Sequence, residues 1–152
     1  MSVLARLEED ALRPEQELAQ LLAQADGDGA VVSFTGVARP ESKSGEPVFR
    51  LVLEHHAALT LPSLEDIAAE ALARFEIRHV RIVHRCGMVA AGEPIVFAGT
   101  ASLHRRSAFE AVDYLMDRLK TEAVFWKREI GPERSNWIEP TTSDYADRER
   151  WG

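Results

Sequence analysis

Apolar residues recur along this chain at two spacings, near 2 and near 3.6 residues, and the switches between them mark out its elements. Residues 2–8 alternate loosely and predict a short first strand. Pro14 suits a helical first turn, and Glu15 and Glu17 favour the positive helix end. Leu18, Leu21, Leu22 and Ala25 continue that helix with an apolar stripe, and Asp26-Gly27-Asp28-Gly29 stops it. Ala30 to Val37, AVVSFTGV, is a β-branched run and predicts a strand. Arg39 follows it, then the polar stretch ESKSGEP, expected to be a mobile surface loop.

Val48 to His55 alternates again, with Phe49, Leu51, Leu53 and His55 expected to face the core. Ser63 and Asp66 resemble a capping box behind Pro62, ahead of helical spacing from Ile67 to Phe75. Glu76 to Arg85 is a strand by propensity. After the turn Ala91-Gly92-Glu93-Pro94, the run Ile95 to Leu103 is nearly all apolar, the mark of a strand covered on both faces. Ser107 and Glu110 form a better capping box, so a helix should run from near Ser107 to between Lys120 and Glu122. Its stripe is Phe109, Val112, Leu115, Met116 and Leu119. Ala123 to Glu129 looks extended, with Phe125 and Lys127 on one side and Val124, Trp126 and Arg128 on the other. Gly131-Pro132 breaks it, Ser135 to Glu139 suggests a short strand, and Tyr145 and Trp151 suggest a polar tail that docks. Mixed strands and helices without a linker give an α+β fold class, one domain over residues 1–152.

Composition narrows the classes. The chain has 152 residues, long enough to bury a core without disulfides. Its formal net charge of -7 argues against non-specific nucleic-acid binding, although a small anion needs only a local positive field. The single cysteine, Cys86, forms no intrachain disulfide and suits a reducing compartment. Neither a signal-peptide pattern nor a membrane-length apolar run is visible, which gives a cytoplasmic expectation with no membrane partner.

Within an acidic chain, the stretch from Ser102 to Glu129 is conspicuous for its cations. His104-Arg105-Arg106 stands between a buried strand and a helix start, where unpaired N–H groups attract anions. Three cations gain nothing from the dipole there, which favours a functional role. The plainer alternative is solvation or pairing with acids such as Glu110. Lys120 and Lys127 follow near the other helix end; brought together and desolvated, one of them would become a usable base or nucleophile. On spacing alone the plainer reading prevails: two exposed lysines, with Lys120 a dipole partner at the helix end. Arg39 could be a second arm on the same anion. The five histidines and Cys86 show no zinc-site spacing, and no serine has a nucleophile-elbow context, so no metal and no cofactor is expected.

The same residues carry a family resemblance. GAVVSFTGVAR, LVLEHH, VRIVHRCGMVAAGEPIVFAGTASLHRRSAFEAVDYLMDRLKTEAVFWKRE and NWIE, from about Gly29 to Trp137, resemble the large, catalytic subunit of molybdopterin synthase. The resemblance implies an α/β hammerhead with an additional antiparallel β subdomain. It also implies conversion of cyclic pyranopterin monophosphate to molybdopterin, with dithiolene sulfur delivered by the C-terminal Gly-Gly thiocarboxylate of a ubiquitin-like small subunit. The expected assembly is a homodimer of large subunits at the core of a heterotetramer. Position by position, Lys120 and Lys127 match the family's active-site lysines. Arg39, His104 and Arg105 match its substrate contacts, and Phe34 and Met116 match positions near the pocket.

Two stretches depart from the family pattern. His56-Ala57-Ala58-Leu59 replaces a Tyr-Pro-Gly-Met-like segment, and Val124 replaces the proline of KTEAPFWK, adding an N–H and relaxing φ. These departures motivate a rival expectation, a non-catalytic module that binds anion and partner without turnover.

Overall fold

A computed structural model describes residues 1–132 and 135–152. Two four-stranded sheets organise it. The first has the order β1-β4-β6-β2, from β1 (Ser2–Glu8), β4 (His79–Arg85), β6 (Pro94–Ser102) and β2 (Ala30–Val37). β1 pairs parallel to β4, and the other two pairings are antiparallel. The second sheet, β5-β3-β7-β8, is antiparallel throughout, from β5 (Gly87–Ala90), β3 (Arg50–His55), β7 (Phe125–Ile130) and β8 (Ser135–Ile138). The α+β class and the additional antiparallel unit therefore stand.

The first sheet is covered on both faces. On one lie α2 (Thr60–Arg74) and α3 (Arg105–Glu122), packed on Val80, Ile82, Val96 and Ala98. On the other lies α1 (Pro14–Gln24), whose Leu21 meets Val83, Phe97 and Ala101. This double cover explains why β6 reads as nearly continuous apolar sequence. Gly99 lets α1 come close: a Cβ there would stand 2.6 Å from a Leu21 methyl. Glu17, expected as a dipole partner, is instead buried and paired with Arg81 and Arg6, each at 2.7 Å. Tertiary cations outcompeted the helix end for that carboxylate.

Several expectations shift. α3 starts at Arg105, two residues before the expected cap, with His104 as N-cap and no side-chain cap. Its buried face runs through Ala108, Ala111, Leu115 and Leu119, while Phe109 is exposed. Small alanines seat the helix closely on β6, where Thr100 Oγ1 donates to the Ala108 carbonyl. α2 likewise begins at Thr60, and Ser63 donates to the Thr60 carbonyl instead of capping. Val48 is buried and Phe49 exposed, because the ordered strand starts only at Arg50. β5 was not anticipated; its four residues are too few for a visible period. The polar loop after Arg39 folds on itself, with Val48 N–H donating to the Pro40 carbonyl.

The tail does dock, through a short helix that its polar sequence does not announce. α4 (Thr142–Glu149) opens on a full capping box between Thr141 and Asp144. Beyond it, Trp151 Nε1 donates to Asp117 at 2.7 Å, and the indole packs edge-on against Phe75 and Tyr114. No helix among the described residues is long and apolar enough to cross a membrane.

Candidate functional site

The second sheet carries a lysine on its inner face. Lys127 is register partner to Leu53 on β3 and to Ile138 on β8, and Leu53 is fully buried. The alternation read from the sequence thus turns Lys127 and Phe125 inward and exposes Trp126. Lys120 arrives from the last turn of α3. Both lysines line a cleft of about 670 Å³, together with Arg39 and Lys43 from the loop after β2 and Asp144 and Tyr145 from α4.

The electrostatics of this cleft are uneven. Burial, reinforced by repulsion from Lys120, pushes the Lys127 ammonium down to about 8, and Asp144 partly opposes the shift. Asp144 is held below the usual carboxylate range: burial works against this, but bonds from Thr141 and the charges of Lys120 and Lys43 outweigh it. Behind β7, the His84 ring stacks on Phe125 with centroids 4.1 Å apart. His84 is buried, and desolvation and the Lys127 charge push its imidazole down to about 3, against a bond between Nδ1 and the Arg85 carbonyl. A neutral ring is therefore packed beside a lysine that loses its proton unusually easily. Such a pair of amines, one shifted toward neutrality and an arginine nearby, can hold an anion and move a proton beside it.

The chain brings together Arg39, Lys120 and Lys127. His104, Arg105, Phe34 and Met116 lie outside this cleft. His104 and Arg105 are exposed at the start of α3, and the fifteen positions from Arg105 to Lys120 span about 22 Å of helix. Phe34 is exposed on the edge strand β2, and Met116 packs against the main core. Sequence reasoning missed Asp144, Tyr145, Lys43 and His84. Only Asp144 had a readable signal, the Thr-x-x-Asp pattern of a capping box.

Residues 7–122 match the model of a protein family described as MoaE protein. The chain belongs to the MoaE family. Among its relatives, the molybdopterin synthase catalytic subunit of Caulobacter vibrioides is 44% identical over 149 residues, covering 98% of this chain and 97% of that one. The catalytic subunit of Pseudomonas aeruginosa is 45% identical over 146 residues, covering 96% and 97%. The solved molybdopterin biosynthesis MoaE protein of Burkholderia ambifaria superposes with a TM-score of 0.84 at 36% identity, covering 99% of each chain. The MoaE match ends at Glu122, so β7 with Lys127, β8 and α4 lie beyond the matched span. β7 and β8 are within the length shared with the two relatives.

Proposed function

We propose that this chain is the catalytic subunit of a molybdopterin synthase, acting in the cytoplasm on cyclic pyranopterin monophosphate. Its sulfur donor would be the C-terminal thiocarboxylate of a small ubiquitin-like carrier. The observation that carries this reading is the meeting of Arg39, Lys120 and Lys127 in one cleft, with Lys127 shifted toward neutrality. The names of the two relatives support the same activity.

In this reading, Arg39 offers a planar fork to the substrate phosphate. Lys127, part of whose population is neutral near pH 7, assists proton transfer at the substrate as the thiocarboxylate sulfur attacks it. Lys120 stabilises the anion that forms. His104 and Arg105 keep their role as substrate contacts. Since α3 separates His104 and Arg105 from Lys120, a second copy in a homodimer would supply them to the same substrate.

The test is turnover. Purified protein with a thiocarboxylated carrier should convert cyclic pyranopterin monophosphate to molybdopterin, read as its fluorescent oxidation product. Lys120→Ala should lose that turnover while still binding the carrier, and full activity in this variant overturns the assignment. Carrier binding by calorimetry without any turnover in the unaltered protein favours the non-catalytic module instead.

A further inference from the structure

The segment joining the two lysines is tied down at one residue. Helix α3 gives way at Ala123, which stands at φ -69° and ψ 137°, and β7 begins at Phe125. Val124 between them has neither helix nor ladder to take up its backbone groups. Both are taken by hydroxyls from the first turn of α2. The Val124 carbonyl accepts from Thr60 Oγ1 at 2.6 Å, and its N–H donates to Ser63 Oγ at 3.2 Å. These hydroxyls are themselves oriented: Thr60 Oγ1 accepts from His56 N–H at 2.8 Å, and Ser63 Oγ donates to the Thr60 carbonyl at 2.6 Å. Thr60 is fully buried.

The His56 turn and Val124, the two places where the sequence departs from the molybdopterin synthase pattern, therefore meet at the Thr60 hydroxyl, with Ser63 holding Val124 beside it. We propose that Thr60 and Ser63 are positioning residues that fix the Lys120–Lys127 segment through Val124, Ser63 supplying by a hydrogen bond what a proline at 124 would supply by its ring. This rests on the function proposed above for the two lysines. A proline has no N–H to satisfy and a fixed φ, whereas valine brings an N–H that needs a partner and a freer backbone. Ala123 already holds the extended conformation that a residue before proline prefers, so the site accepts either solution. Thr60 is the constant part, joining the end of β3 to the start of β7, where His55 and Phe125 are register partners.

A double-mutant cycle tests this. Ser63→Ala should lower kcat about tenfold with little change in KM, since misplacing reacting groups costs rate more than binding. Val124→Pro should stay near the unaltered rate, and the double variant should match Val124→Pro, because no N–H is left for Ser63. Ser63→Thr and Thr60→Ser, which keep the hydroxyls, should retain kcat, and melting midpoints identify any variant that merely unfolds. Two readouts are independent of turnover. Hydrogen exchange at the Val124 amide should quicken in Ser63→Ala, and the NMR titration of the Lys127 side chain should move. Unchanged kcat with unchanged Val124 exchange in Ser63→Ala overturns the proposal, as does a double variant whose losses multiply. If the unaltered protein makes no molybdopterin, the proposed function falls, while the exchange and titration measurements still decide whether the clamp holds the segment.

Discussion

Lys120 and Lys127 line one cleft, and the charge on Lys120 helps to depress the proton affinity of Lys127. One comes from a helix end and the other from the inner face of a sheet, so each is held by a different layer of the fold.

That coupling has a direction that can be measured. With selectively labelled lysines, Lys127 should titrate near pH 8. Removing the neighbouring charge in Lys120→Ala should raise that midpoint toward the ordinary lysine value, and Asp144→Asn should lower it. Identical midpoints in all three proteins are the result that fails this expectation.

If Lys127 takes the proton, charge alone does not replace it. Lys127→Arg keeps a cation that does not deprotonate in the working range. Its kcat is expected to fall about a hundredfold, the scale of general-base catalysis, with carrier affinity retained. Stopped assays against the unaltered protein decide it.

His84 should make the fold sensitive to acid. Its imidazole is held at about 3 in the folded chain, against an ordinary value of 6.5. Above pH 6.5 both folded and unfolded forms are neutral. Below it the unfolded chain gains a proton that the folded chain refuses, so stability drops as pH falls, by about 1.4 kcal/mol per unit until about pH 3. Urea melts of His84→Leu and the unaltered protein should differ in that slope and converge in form above pH 7.

Gly99 sets the distance between α1 and the first sheet. Gly99→Ala places a Cβ against Leu21 and Phe97, at 2.6 and 3.0 Å. Overpacking of this kind costs about 1–3 kcal/mol, read as an earlier thermal midpoint.

Trp151 anchors the tail that delivers Asp144 to the cleft. Trp151→Ala should cost about 2 kcal/mol, a little less than a fully buried indole. Freed of the Asp144 carboxylate, Lys127 should then titrate lower, which ties a change far from the amines to their chemistry.

The legible parts of the sequence were those with a strong local signal. β1, α1, β2 and β6 fall where period and propensity place them, because a strand covered on both faces must be apolar throughout and an amphipathic helix must repeat its stripe. The faces of β7 were also legible, since alternation alone turns Lys127 and Phe125 to one side. Cap positions were not. Ser63 and Ser107 had the right spacing, but the first turns of α2 and α3 begin earlier, and tertiary contacts of Thr60 and Ser63 took the hydroxyls for another purpose. β5 is only four residues long and α4 is short and mostly polar, so their stability comes from pairing and docking that no local pattern records.

The sequence by itself determined which side chains are available: two lysines and an arginine near element ends, a helix between them, and the family they belong to. Only the tertiary structure decided which of them meet. His104 and Arg105 are neighbours of Lys120 in the chain but are held away from it by the rigid length of α3. Arg39 is distant in the chain, yet it lines the same cleft because the loop after β2 leads into β3, the strand paired with β7. The shift of Lys127 belongs to the same level, for desolvation and repulsion are properties of what surrounds an amine, and those neighbours come from α3, α4 and the loop after β2.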